Sequence, residues 1–419
     1  MLDPRVLVHL DEAKGLLKRL QETVLRDQID ELLRASRNCS ACGKRRAIHD
    51  DRCCSLDTLY GRFRVKAPRL RQCPCEATAG VANPVLQSPI SDRFPERATP
   101  ELQRLQAELR SRHSFREAAR LMETFLPCAP QLNTTVRNRL GRIAETLETT
   151  EAAHIDTSAD TNSFPFTVFL DGAHIRCRPE YQKRHLDVVV GKIENHNISR
   201  RFGLVQQAAK SLARQLRNGL KAQGWDGQSK VTVISDGEPA LPNLVQRAVK
   251  GPVTHNLDWW HISMRVQHIE NAVKGLLQTQ DFPGLTQLFE RPAKTLRWNL
   301  RHGKVMTAAT NLRVLIIDCD RLRAKSTEQR AAAVRVVALC QELYTYLSNT
   351  FDALINYGHR YRNELPISSY RAEGCVDDIG NARMGKRRRM RWSPKGAHRV
   401  AVTRAGVLDG RLSLSHLAA

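Results

Sequence analysis

No apolar run among the 419 residues approaches the ~18–20 needed to cross a bilayer. No segment pairs a basic face with a strongly apolar one, so a membrane-surface role is not expected either. The opening Met-Leu-Asp-Pro-Arg lacks the pattern of a secretory leader, and a cytoplasmic location is the expectation. Acidic residues are short: 43 Asp+Glu face 66 Lys+Arg, a formal charge of +23. Such an excess favours a polyanionic partner, nucleic acid being the commonest, through counterion release. The plainer alternative is a merely soluble or ribosome-like basic protein. A covalent Ser or Tyr nucleophile finds no supporting constellation. Length argues for two to four domains.

Cysteine is what the sequence does have, and unevenly. More than half of the 11 fall within residues 39–75. In a cytosolic chain such crowding points to metal ligation before disulfides. Residues 1–36 carry Val6, Leu10, Leu17, Leu20, Val24, Ile29, Leu32 and Leu33 at helical spacing, and a docking surface helix is expected. Residues 37–80 then read as a zinc-ribbon-like module. Cys39-Ser-Ala-Cys42 and Cys73-Pro-Cys75 flank a hairpin pattern through Leu56–Val65, an arrangement that can present four thiolates tetrahedrally to a structural Zn²⁺. The C-x-C spacing is tighter than the usual knuckle, and His49, Cys53 or Cys54 are alternative ligands; buried reduced thiols are the plain alternative. Residues 97–150 read as helical. Thr99-Pro100 opens one helix, Ser114 and Glu117 suggest a capping box for the next, and Asn133 starts a third. The first turns of that third helix offer Arg137 and Arg139 among other donors, as a helix-turn-helix recognition helix would; a plain helical linker remains the alternative.

Two stretches then stand out, Thr167-Val-Phe-Leu-Asp-Gly172 and Val231-Thr-Val-Ile-Ser-Asp-Gly237. Each is a β-branched, apolar run ending in Asp-Gly, so each predicts a buried strand that delivers a carboxylate at its end, with glycine opening a turn. Strands over 185–193, 201–205 and 252–257, with helices over 208–223 and 239–249, give the order β-β-β-α-β-α-β, that of an RNase H-like fold. The expected fold is therefore multidomain α/β. Its core is an RNase H-like mixed sheet, starting at 163–262 and interrupted by an all-helical insertion at 263–367. Residues 368–419 supply a last helix with Glu373 and a basic tail.

Asp171-Gly-Ala, Ser235-Asp236-Gly, Asp258-Trp-Trp-His261, Glu373 and the tail from Arg383 to His398 come in one order along the chain. In this the chain resembles the bacterial insertion-sequence DDE transposases, the ISKra-like group most closely. The resemblance implies that Asp171, Asp236 and Glu373 hold two Mg²⁺ (or Mn²⁺) ions, with Asp171 bridging them, for cleavage and strand transfer of DNA. It implies double-stranded DNA partners (terminal inverted repeats and target), a homo-oligomer when active, and a nucleoid-associated place in the bacterial cytoplasm. It also implies that Asp258 and His261 support the site from behind; packing plus one satisfied imidazole is the alternative. Asp377, one turn beyond Glu373, is the rival third acid, and Glu238 reads as a solvated turn residue. In the tail, Lys386, Arg387, Arg388, Arg389, Arg391 and Lys395 around Trp392 are the expected phosphate contacts. A zinc-dependent DNA-binding protein without catalysis, an inactive transposase remnant and an RNase H-type nuclease are the competing classes.

Overall fold

A computed structural model describes residues 9–76, 86–153, 165–195, 198–207, 211–278, 285–325 and 330–412. Within these spans the side chains at 151–153, 285–287, 323–325, 371–373 and 386 fall outside the description. The protein is mixed α/β and divides into two compact units, Met1–Glu148 with Arg399–Ala419, and Thr149–His398. No helix among the described residues is long and apolar enough to cross a membrane.

The first unit opens with helix α1 (Leu10–Ser36), where Glu12 Oε2 accepts from the His9 amide at 3.1 Å and starts the helix. Strands β1 (Ile48–Asp50), β2 (Cys53–Thr58), β3 (Gly61–Lys66), β4 (Arg69–Arg71) and β5 (Leu86–Gln87) follow. β2 and β3 form an antiparallel hairpin, and β3 alternates buried and exposed residues along its length. That alternation turns Phe63 and Val65 inward, where they meet Leu56 of β2 and Leu25 and Ile29 of α1. The short sheet β1-β4-β5 frames the cysteines. Helices α2 (Pro89–Arg93), α3 (Pro100–Arg112), α4 (Phe115–Phe125) and α5 (Asn133–Ala153) come next. Ser114 does cap α4, its Oγ accepting from the Glu117 amide at 3.1 Å. Thr99, a good cap by residue type, makes no side-chain cap bond; its amide instead donates to Asp57 O at 2.9 Å.

The second unit is built on a five-stranded mixed sheet of β6 (Phe166–Arg176), β7 (His185–Asn195), β8 (Ile198–Val205), β9 (Val231–Ser235) and β10 (Val253–Leu257), with helices α6 (Leu212–Lys221) and α7 (Ala240–Val249) between them. Its spatial order is β10-β9-β6-β7-β8; β6, β7 and β8 are antiparallel neighbours, whereas β9 runs parallel to β6 and β10 parallel to β9. Short turns allow the antiparallel meander, and the parallel strands need helical crossovers. Phe166, Val168 and Leu170 of β6, with Val231 and Val233 of β9, pack against Leu216, Leu220, Leu241, Leu244 and Val245 of the two crossover helices. Phe169 and Ile234 point to the opposite face, where they form a buried pair of their own. One expectation needs correcting here: β6 does not end at Asp171. It continues to Arg176 because β7 pairs with it throughout, Gly172 lying opposite Val189.

After β10 the chain is helical: α8 (Trp259–Leu277), α9 (Leu285–Arg301), α10 (Val305–Lys325), α11 (Arg330–Asn349) and the short α12 (Tyr357–Arg362). Ile262, Val266, Ile269, Val273 and Leu276 of α8 recur at the 3–4 residue spacing of one helical stripe and enter a core shared with α9, α10 and α11. The chain then returns to the sheet through α13 (Tyr370–Cys375), a π-helical turn over Val376–Asn381, α14 (Ala382–Met384) and α15 (Pro394–Leu408).

Candidate active site and metal centre

The pairing of β6 with β9 runs from Phe166 opposite Val231 to Phe169 opposite Ile234. Carried two residues further, the same offset sets Asp171 level with Asp236, the first residue beyond β9. Asp171 lies on the Phe169 face of β6 by strand alternation, away from α6 and α7. Both carboxylates are half-buried. The Gly172 amide donates to Asp171 Oδ1 at 2.6 Å, and the Glu238 amide donates to Asp236 Oδ1 at 3.2 Å. The second bond closes a tight turn through Gly237, whose φ of +86° suits glycine. A Cβ there would stand 2.9 Å from Leu257 Cδ1 and 3.0 Å from Thr350 Cγ2, so a side chain would have to push both aside. Glu238 is exposed, and its Oε2 comes within 3.9 Å of where a Gly172 Cβ would be.

Two neighbours of Asp236 carry no local sequence signal. Tyr346, near the end of α11, donates its hydroxyl to the Asp236 carbonyl at 2.9 Å. Burial raises the Tyr346 phenol pKa, so the hydroxyl stays protonated and remains a donor. His255 on β10 sits 3.0 Å from Ser235 Oγ through Nε2; burial lowers its pKa against the opposing pull of the Asp236 charge. Only the alignment of β10 beside β9 and the return of α11 bring these side chains here, from far along the chain.

Asp258 is fully buried. Its amide donates to Ser235 O at 2.9 Å, tying it to the end of β9. Its Oδ1 caps α8 by accepting from the Trp260 amide at 2.8 Å, and its Oδ2 accepts from Ser369 Oγ at 2.5 Å. Alongside, the Trp259 amide donates to Ile367 O at 3.1 Å. One carboxylate therefore joins the strand that leads to Asp236, the start of α8 and the residue immediately before α13. His261 Nε2 stands 3.7 Å from Asp258 Oδ2, near but beyond hydrogen-bond reach.

α13, which carries Glu373, packs against β6 and β7. Just before it, Ser368 Oγ accepts from the Tyr370 amide at 3.2 Å. The Glu373 side chain lies outside the described residues. On the following turn, a Cβ on Gly380 would meet Ala173 Cβ of β6 at 3.2 Å, so the π-helical segment lies against the sheet. Asp377, the rival acid, is exposed and accepts from Asn381 Nδ2 at 2.8 Å.

Two expected DNA contacts are turned inward. Arg139 is 2 % exposed; its guanidinium meets Asp57 Oδ2 at 3.2 Å, Gln131 Oε1 at 2.9 Å and the Glu96 carbonyl at 3.1 Å. It serves the interior of its unit and presents nothing to bases, whereas Arg137 is exposed. Trp392 is 7 % exposed; its amide and carbonyl bond to Arg176 O and the Arg178 amide, and Arg383 stacks over its ring at 5.0 Å. It anchors the tail to the end of β6. Around it Arg387, Arg388, Arg389, Arg391 and Lys395 are exposed, and the Lys386 side chain lies outside the described residues.

The cysteine expectation is met in part. Cys39, Cys42, Cys73 and Cys75 bring their sulfurs within 4.8 Å of one another, the one such group of three or more metal-ligating side chains among the described residues. The group contains neither His49, Cys53 nor Cys54. Neighbouring sulfurs stand 3.3–3.5 Å apart. A tetrahedral zinc with bonds of about 2.3 Å asks for sulfurs about 3.8 Å apart, so a slight outward movement accommodates the ion. The Lys44 amide, directed at Cys42, holds that thiol down at about 7, so a thiolate is at hand near neutral pH. This group could hold a structural metal such as zinc.

No protein-family model matches the chain, and no curated protein matches it closely enough to stand as a relative.

Proposed function

We propose that the chain is a bacterial insertion-sequence DNA transposase of the DDE type, with Asp171, Asp236 and Glu373 as its catalytic acids. The observation that carries this reading is the β6–β9 register, which brings Asp171 level with Asp236 where the parallel pairing ends. The sheet supports it further: taken in chain order, its strands lie 3-2-1-4-5, antiparallel among the first three and parallel beyond, the order of an RNase H-like core. α13 packs on the first two of those strands, as a helix supplying a third acid must. Carboxylates at strand ends are hard oxygen donors suited to Mg²⁺ or Mn²⁺. Two such ions held by these three acids would supply charge stabilisation to the entering and leaving oxygens of a phosphodiester.

The chain's own groups prepare that site. The Asp236 turn is fixed by Gly237 and Tyr346, and Asp258 sets the start of α13 against the end of β9. Exposed arginines at 387–389 and 391, with Lys395, offer phosphate contacts for element ends and target DNA, and Arg137 offers another. The cysteine module, loaded with zinc, stiffens the unit that carries Arg137.

The test is cleavage of a fragment bearing the inverted repeats that flank the gene, with Mg²⁺ or Mn²⁺. Asp171→Asn, Asp236→Asn and Glu373→Gln should each lose about 10³-fold or more in cleavage rate, roughly 4 kcal/mol, while binding ends within a few-fold of wild type. Calorimetric Mn²⁺ binding should weaken in the same variants. If all three still cut, the assignment is wrong. The four-cysteine group and the exposed arginines would equally serve a second reading, a zinc-dependent DNA-binding protein without catalysis. Wild-type protein that binds ends but never nicks them in Mn²⁺ would select that reading.

A further inference from the structure

Three buried polar side chains of the first unit meet with hydrogen-bond donors in excess. Gln106 and Arg110 stand one turn apart on the inner face of α3, 2 % and 1 % exposed. Arg139 of α5 reaches Gln106 Oε1 at 3.4 Å and lies close enough to Arg110 for its charge to be felt there. Arg110 Nε and Nη1 have no hydrogen-bond partner among the described residues, nor do Gln106 Nε2 and Arg139 Nε. We propose that this cluster is a binding site for one small inorganic anion, held chiefly by the Arg110 guanidinium.

A guanidinium has N–H donors only and nothing to accept with. The carboxylates of this interior are already engaged. Asp57 Oδ1 accepts from Arg62 at 2.7 Å and its Oδ2 from Arg139 at 3.2 Å, while Glu96 pairs with Arg142. Turning the Gln106 amide over would set a donor against Arg139, so the surplus of donors remains either way. Phe115 holds Arg110 in place, its ring centroid 5.2 Å from the guanidinium carbon. Burial, then the neighbouring charge of Arg139, lower the Arg110 pKa to about 10, which leaves the group cationic at neutral pH.

A cation buried without counter-charge or acceptor is strongly unfavourable, and an anion supplies both at once. Burial also selects the ligand. A phosphate within a polynucleotide, tethered on both sides, cannot reach a group that is 1 % exposed, whereas chloride or inorganic phosphate needs only a small opening of the helices. This inference concerns the first unit alone and does not depend on the proposed activity.

The test is the melting of the zinc-loaded full chain at fixed ionic strength, with sodium gluconate exchanged stepwise for chloride or, in a second series, for phosphate. An anion that binds only the folded state stabilises by mass action. The transition of the first unit should therefore rise and go on rising with the acting anion, by roughly 5–10 °C at a hundredfold excess over its dissociation constant. The series that shows the rise identifies the ion. Arg110→Met, similar in volume and uncharged, should be no less stable in gluconate and show no rise; Arg110→Gln repeats the comparison if the methionine chain does not fold. Arg120→Met, exposed on α4, should respond as wild type does. Equilibrium dialysis with the acting anion should find one ion fewer per chain in the Arg110 variants. No rise with either anion, or an equal rise in the Arg110 variants, overturns the proposal.

Discussion

Replacing Asp258 with alanine removes three things at once, and each has a magnitude. The side chain caps α8 through the Trp260 amide, and losing such a cap costs about 1 kcal/mol, with a range of roughly 0.5–2. It accepts the Ser369 hydroxyl, and Ser369 is itself buried at 5 % exposure. An unsatisfied buried hydroxyl costs about 1–3 kcal/mol. The void left by the carboxylate adds a smaller amount, so Asp258→Ala should destabilise the second unit by about 2–5 kcal/mol. For a unit of this size that is a fall in melting temperature of roughly 5–15 °C. Asp258→Asn keeps one acceptor oxygen and can offer its amide to Ser369 Oγ, so about 1 kcal/mol is expected. Calorimetry measures the size of the effect, and hydrogen exchange measures its place: the amides of α13 should lose protection in the alanine variant before those of β7. A melting temperature within about 1 °C of wild type for Asp258→Ala would refute the claim that this carboxylate holds strand and helices together.

The two arginines of α5 should separate cleanly. Arg139→Met leaves Asp57 with one partner fewer in the interior and should cost about 3–5 kcal/mol of stability, whereas Arg137→Ala should leave the melt unchanged and lower the salt dependence of DNA binding by about one ion. A chelator, or Cys39→Ser, should unfold the ribbon of the first unit while the near-ultraviolet signal of the second unit persists; loss of both together would contradict the two-unit division. Asp50 is held down at about 2, first by its hydrogen bond from Arg69 and then by the charges of Arg52 and Arg69. A carboxylate lowered in the folded state stabilises above its unfolded pKa of about 3.9 and loses that contribution as pH falls toward 2. Asp50→Asn should therefore flatten the acid limb of the first unit's stability between about pH 4 and 2, and an unchanged limb would count against the ion pair.

Strand positions in the second unit were legible because β-branched runs and Asp-Gly endings are local signals, and β7, β9 and β10 lie close to where the pattern put them. The fate of Gly172 was not legible. Asp-Gly is a turn signal in isolation, but ten residue pairs with β7 keep the strand extended through it. Arg139 and Trp392 failed for a related reason. Residue type suggested contact with DNA, but the partners that bury them, Asp57 for one and Arg176 with Arg178 for the other, are remote in sequence. Ligand type and spacing put forward Cys39, Cys42, Cys73 and Cys75 but left His49, Cys53 and Cys54 open, and the fold gathers only the first four, while Tyr346 and His255 reach Asp236 through packing that no short pattern encodes.

The bonds at Asp258 have a topological consequence. The helices from α8 to α12 leave the sheet after β10, and the bonds of Asp258 to the Trp260 amide and to Ser369 set the chain's exit and return side by side, so they form a loop whose two ends are clasped together. Whatever length or shape such a loop has, the clasp keeps its exit and return adjacent. Relatives of this architecture could exchange the whole bundle for a shorter connection, as long as an acid at 258 and a hydroxyl at 369 were kept. A chain with residues 263–362 replaced by a flexible linker should still bring α13 back beside β6.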